Sequence, residues 1–249
     1  MDNLVSYILH LADNNLILTQ LNAEWCGHGP ILEQDIAITN ITLDLIGQSR
    51  NFYQYAAKLI GGDATEDSLA YLRNERSFKN CLLAEQPNGD WAQTVLKQFL
   101  YSTFQYFLYD EMKQSADEQL AAIAEKSIKE VTYHVSWSSE WVIRLGDGTD
   151  ESNSRMQHAI AELWPYTGEL FLPVDYETEM INKNVAPDIT SLKEKWFQKI
   201  TEVLDEATLA VPENIFMHTG GKTGTHTEQL GYILAELQFL QKTYPGAEW

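Results

Sequence analysis

The sequence contains one long connection between helical segments, GGDATEDSLAYLRNERSFKNCLLAEQPNGD, which occupies residues 61–90. The segment before it, residues 30–61, repeats apolar residues such as Ala37, Ile41 and Leu45 at helical spacing. A helix of that length extends about 45 Å. A connection of about 30 residues, with its own helix predicted over 67–85, is long enough to return along such a helix before the next one begins. The pattern therefore predicts a crossover between two parts of a helical bundle.

The other connections between the long helices are short. We predict the first helix over 3–21, and residues 23–29 join it to the second. The third helix runs over 91–114 with Asp90 as its N-cap, and residues 115–116 join it to a fourth helix, which Asp117 caps and which ends at Gly146. Two antiparallel hairpins joined by one long crossover are typical of the ferritin-like four-helix bundle. The predicted fold class is therefore all-α and ferritin-like.

Three further helical segments are predicted over 155–171, with a kink at Pro165, over 189–209 and over 226–243. We expect them to pack on the bundle as additions. The prediction is a single domain, 1–249, with a core bundle over about 3–146 and appended helices over about 152–243.

The chain is strongly acidic, with a formal net charge of −19. A charge of that sign repels phosphate backbones and argues against nucleic-acid binding. Solubility explains it more simply than a basic partner does. The two cysteines, Cys26 and Cys81, form no CxxC motif and fit a reducing compartment. The sequence shows no signal-peptide pattern and no run of 18 apolar residues. We expect a cytoplasmic protein that does not span a membrane.

A di-iron centre in such a bundle takes a carboxylate from each of two helices and a Glu-x-x-His pair from each of the other two. In the first hairpin, Asp13 and Asp44 are separated by about one helix plus a loop, as facing ligands would be. Gly47 occupies the position where the histidine partner of Asp44 belongs, and Gln48 beside it is a poor iron ligand.

The second hairpin fits the ligand pattern less well. Glu130 and His134 are spaced i, i+4 instead of i, i+3. No carboxylate occurs on the third helix between Trp91 and Tyr109. We therefore predict that this chain has no catalytic, cofactor-binding or metal-binding residues. A residual single metal site is a weaker alternative.

The remaining polar residues are predicted to form a structural network of buried hydrogen bonds, because buried polar groups persist when they satisfy one another. The members of this predicted cluster are Asp13, Asp44, Gln48, Glu130 and His134.

Several motifs, spread over essentially the whole chain, resemble one family. They are EWCGH (24–28), LDLIGQ (43–48) with RN (50–51), EQPNG (85–89), IKE (128–130) with YH (133–134), LG (145–146) with GTD (148–150), TGGK (219–222), HTE (226–228) and LG (230–231). Together they resemble the C subunit of the ring-1,2-phenylacetyl-CoA epoxidase.

The resemblance implies a non-catalytic structural subunit of a multicomponent di-iron monooxygenase that epoxidises phenylacetyl-CoA in aerobic phenylacetate catabolism with O2 and NADPH. It implies that the di-iron site lies in a catalytic A subunit, which pairs with this chain in a hetero-oligomer. A small B subunit and a reductase complete the expected partners, and this chain itself is expected to bind no cofactor.

Two other functions compete with this interpretation. An autonomous di-iron oxidase or iron-storage ferritin-like protein would bind iron without a partner. A CoA-ester binding module would need a phosphate cradle, and GGKT at 220–223 is a poor candidate because Phe216 stands where the phosphate loop needs glycine.

Overall fold

A computed structural model describes residues 2–247, which contain ten α-helices and no β-strand. The prediction of an all-α fold is confirmed. The helices are α1 (Asn3–Ala23), α2 (Leu32–Ile60), α3 (Glu66–Tyr71), α4 (Trp91–Met112), α5 (Glu118–Gly146), α6 (Asp150–Leu163), α7 (Asp175–Asn182), α8 (Ile189–Glu206), α9 (Glu228–Leu237) and α10 (Phe239–Thr243).

The chain forms two compact units. One comprises the chain up to Pro87 together with the chain from Thr219 onward, and the other runs from Asn88 to His218. Each unit contains one of the two predicted hairpins and some of the segments that were expected as additions. The single-domain organisation stays a prediction.

The first unit is built around the antiparallel hairpin of α1 and α2. Two hydrogen bonds show that the helices run in opposite directions. Asn15 bonds to Gln48, whereas Asp13, which is earlier in α1, bonds to Tyr53, which is later in α2. The apolar side of α2 that faces α1 includes Ile41 and Phe52, which are fully buried. Helix α1 is buried along most of its length, polar side chains included. It is therefore the central helix of this unit, and α9 packs on it as well.

The second unit is built around the hairpin of α4 and α5, on which α6 and α8 pack. Asp90 and Gln93 form a reciprocal capping box at the start of α4, and Asp117 accepts two backbone N–H bonds at the start of α5. Trp196 of α8 donates its indole N–H to the carbonyl of Leu100 at 2.9 Å. Both predicted N-caps, Asp90 and Asp117, are confirmed.

The predicted crossover helix over 67–85 is wrong in extent. The segment contains the six-residue α3 and a 3-10 turn, Glu75–Ser77, and then continues without regular structure to the start of α4. Phe78, Cys81 and Leu83 in this irregular stretch are fully buried. Buried backbone without a helix needs other hydrogen-bond partners, and side chains of α1 supply them.

The later segments also differ from the prediction. Helix α6 begins before residue 155, because Thr149 and Ser152 form a capping box, and it ends where Pro165 enters a 3-10 turn. Helix α7 was not predicted. The segment predicted over 226–243 is divided at Gln238 into α9 and α10.

Candidate functional site

Helix α1 carries a row of polar side chains on a buried face. His10, Asp13 and Asn14 all lie in the interior of the first unit. A buried polar group without a hydrogen bond is costly, and a buried charge without a partner is costlier. The hydrogen-bond partners of these three residues therefore show which parts of the unit the polar face of α1 holds together.

The carboxylate of Asp13 is enclosed by donors from three parts of the unit. The Tyr53 hydroxyl donates to Oδ1 at 2.5 Å, and the backbone N–H of Lys79 donates to Oδ2 at 2.8 Å. The guanidinium of Arg73 binds both oxygens, at 3.1 Å to Oδ2 and more closely to Oδ1. Asp13 is thus half of a buried, forked ion pair.

The electrostatics of this ion pair keep Arg73 charged and Tyr53 neutral. Burial has the largest single effect and lowers the pKa of Arg73. The charge of Asp13, together with Tyr53 and the hydrogen bonds to both residues, outweighs burial and raises the pKa above its ordinary value. Burial, and then the negative charge of Asp13, raise the pKa of Tyr53 well above its ordinary value. Arg73 also lies 4.2 Å from the centroid of the Phe78 ring, which adds a cation–π contact.

His10 and Asn14 form a second chain of hydrogen bonds to the irregular crossover. The N–H of Cys81 donates to Asn14 Oδ1 at 2.7 Å, and Asn14 Nδ2 lies 3.3 Å from His10 Nε2. His10 Nδ1 lies 2.7 Å from the carbonyl oxygen of Lys79, which can only accept. The consistent assignment is a neutral imidazole that donates from Nδ1 and accepts at Nε2. The polar row of α1 therefore holds residues 79–81 in place.

A further buried ion pair attaches the C-terminal segment to the same crossover. His226 Nδ1 lies 2.8 Å from Glu85 Oε2, and its Nε2 lies 3.0 Å from the carbonyl oxygen of Phe78. The other Glu85 oxygen accepts the N–H of Thr227 at 2.7 Å. Both ring nitrogens face acceptors, which is the arrangement of a charged imidazolium. Burial lowers the pKa of His226, but the hydrogen bond and charge of Glu85 outweigh it, so the pKa is raised.

The structure distributes the predicted cluster over both units. Asp13 and Gln48 are buried in the first unit, where Gln48 accepts a long bond of 3.5 Å from Asn15. Asp44 is half-exposed on α2. On α5 of the second unit, Glu130 is half-exposed and His134 is fully buried. Asp13 finds its charged partner outside the predicted set, and a single network of all five residues stays a prediction.

Sequence reasoning missed Arg73, Tyr53 and the Glu85–His226 pair. Arg73 falls in the segment predicted as a crossover helix, where a basic residue is typical of a solvated face. Glu85 and His226 stand in the family-like motifs EQPNG and HTE, but they are 141 positions apart and no local pattern gave a reason to pair them. Their place in those two motifs was the available signal.

The side chains present do not fit the di-iron centre that a ferritin-like bundle implies. Asp13, the best-placed ligand candidate, is engaged by Arg73, Tyr53 and a backbone N–H. Gly47 has no side chain to offer at the expected histidine position. Within residues 2–247, no three His, Cys, Asp or Glu side chains are grouped so that they could hold one metal ion. We therefore derive no metal chemistry from this chain.

Membrane-crossing helices are also absent from the part of the chain that the structure describes. None of its helices combines the length and the apolar character that crossing a bilayer requires.

Two antiparallel helical hairpins joined in the chain by one long crossover are typical of an all-α ferritin-like protein. A family model described as Phenylacetic acid catabolic protein matches residues 1–249. The chain is 47% identical over 249 residues to the C subunit of 1,2-phenylacetyl-CoA epoxidase from Escherichia coli (strain K12), with 100% of both chains covered. The chain belongs to the phenylacetic acid catabolic protein family.

Proposed function

We propose that this chain is a non-catalytic, structural subunit of a phenylacetyl-CoA epoxidase. The observation that carries the proposal is the buried Asp13–Arg73 ion pair. Asp13 stands where the sequence pattern expects an iron ligand, but its carboxylate binds Arg73 and the backbone N–H of Lys79, both in the crossover. The full-length likeness to the C subunit of an epoxidase supports the same role.

In the proposed mechanism, the chain supports the structure of its partner and takes no part in the chemical reaction. The chain pairs with the catalytic A subunit, which carries the di-iron site, and holds the ligand-bearing helices of that subunit in register. An obligate pair of this kind buries roughly 2,000 Å² or more. Side chains that would bind iron in a catalytic bundle stabilise the fold here instead, as Asp13 does. A small B subunit and an NADPH-linked reductase complete the proposed assembly.

Reconstitution of the epoxidase tests this role. The catalytic subunit is expressed with and without this chain, and recovery of the complex and NADPH- and O2-dependent epoxidation of phenylacetyl-CoA are measured. We expect a stable hetero-oligomer, and activity that depends on both subunits. Epoxidation by this chain and the reductase alone would refute the non-catalytic role, and failure to form a complex would refute the pairing.

A further inference from the structure

One side of α2 exposes a continuous line of large apolar side chains. Leu32 is 72% exposed, Ile36 52%, Leu43 62% and Ile46 37%. At 100° per residue these four positions lie within an arc of about 80°, and they extend over about 21 Å of helix. We call them the α2 stripe. Single exposed leucines are ordinary, whereas an apolar line of this length marks an interaction surface.

The opposite side of the same helix accounts for its packing within the chain. Ile38, Ile41 and Leu45 are fully buried there. Helix α5 has the same length of 29 residues and supplies an internal comparison. Apart from Ala122 and Tyr133 its exposed positions are charged or polar, and in the described residues Tyr133 is its one exposed large hydrophobic side chain. An apolar outer side is therefore not a property that the two 29-residue helices share.

Gly47 gives a second, independent indication of a partner. It lies beside the α2 stripe in the interior of α2, where glycine is a poorer helix former than alanine. A Cβ built on Gly47 meets no atom within 4 Å, so nothing inside the chain requires glycine there. Glycine on an exposed helical surface permits the close approach of another backbone. The element that needs this space lies outside the chain.

The charges around the α2 stripe select the kind of partner. Glu33 and Asp44 follow one edge of the stripe, while Arg50 at its end already pairs with Glu66 at 3.5 Å. A second copy of this chain would bring the same acidic edge and a further net charge of −19. Such a contact is disfavoured by repulsion, whereas a helix with lysine or arginine beside its apolar side is favoured.

We infer that the α2 stripe, with Gly47 beside it, is the docking surface for a helix of the catalytic subunit that presents an apolar side flanked by basic residues. The inference rests on the proposed function, since it names the surface through which the structural subunit pairs. Leu43 lies in the centre of the contact, and Gly47 lets the two backbones approach.

Competition during assembly tests the surface. Native and variant full-length chains are co-expressed with a tagged catalytic subunit, and the ratio of the two in the purified complex is measured by mass spectrometry against their ratio in the lysate. We expect Leu43→Glu to be depleted about tenfold or more relative to the native chain. The matched control is Leu172→Glu, at a leucine that is 52% exposed outside α2, and it should be incorporated equally.

Gly47→Gln separates docking from folding. Because glutamine is the better helix former, the variant should raise the Tm of the free chain by about 1–2 °C. The same variant should be depleted from the complex, since its side chain occupies the space that the partner helix needs.

The outcomes are distinguishable. If Leu43→Glu and Gly47→Gln enter the complex as well as the native chain, the α2 stripe is not the docking surface, although the proposed function stands. If the native chain itself does not co-purify with the catalytic subunit, the proposed pairing fails. A native homodimer in sedimentation that Leu43→Glu dissociates would make a second copy the occupant and overturn the inference.

Discussion

Asp13 connects three parts of the first unit through one carboxylate, since Tyr53, Arg73 and the N–H of Lys79 all donate to it. Asp13→Ala leaves the guanidinium of Arg73 buried without its counter-charge. We expect the variant to lose about 3–5 kcal/mol of unfolding free energy, the usual cost of removing one partner from a buried ion pair. Urea denaturation followed by circular dichroism measures the loss.

Asp44→Ala is the matched control for this substitution. Asp44 lies on the neighbouring helix of the same hairpin, in the predicted ligand pair with Asp13, but it is half-exposed. Water screens a half-exposed carboxylate, so its removal should cost clearly less stability. Equal losses for the two variants would contradict the assignment of Asp13 as the charge that the fold depends on.

The raised pKa of His226 makes the stability of the folded chain depend on pH. Its pKa is raised in the folded chain by Glu85, despite burial. The stabilisation is therefore fully present below the unfolded pKa of about 6.5 and is lost as the pH rises through the higher, folded value. We expect the difference in Tm between the native chain and His226→Gln to shift against the native chain as the pH increases above about 6.5. Parallel curves for the two proteins, or a native chain that gains relative stability, would contradict this prediction.

At the scale of elements, the long helices follow from the sequence and the crossover does not. Helices α1, α2, α4 and α5 lie within a few residues of their predicted bounds, because apolar periodicity and side-chain caps are local signals. A helix was predicted over 67–85 because a connection that returns along the long second helix needs a helix of its own. Its irregular part is fixed by distant side chains, such as Asn14 on the N–H of Cys81, and no local pattern encodes such contacts.

The C-terminal segment is predicted to be required for the first unit. A chain truncated before His226 loses two donors to the fully buried carboxylate of Glu85, the His226 ring and the N–H of Thr227. It also loses α9, which packs on α1. We expect a lower unfolding midpoint and weaker recovery with the catalytic subunit. Tyr232→Ser, at an exposed position of α9, is the control and should behave as the native chain does. Unchanged stability and co-purification of the truncated chain would refute the prediction.

At the scale of the whole molecule, the sequence pointed to Asp13 but not to Arg73 and Tyr53, which bind its carboxylate. The ligand gaps at Gly47 and along the third helix predict a bundle unsuited to two irons, and this stays a prediction. The structure shows that Asp13 binds Arg73. The buried ion pairs Asp13–Arg73 and Glu85–His226 join residues that are 60 and 141 positions apart in the chain. Only the folded arrangement brings such residues together, so one sequence without the fold could not identify them.

In the proposed function, this chain supports a di-iron enzyme without binding iron itself. The most direct test is iron per chain, measured by elemental analysis on the protein expressed alone with ample iron and on the protein co-expressed with the catalytic subunit. We expect near-zero iron in the lone chain, and iron that appears only in the complex. About two irons per chain in the lone protein would contradict it and make this chain a redox enzyme in its own right.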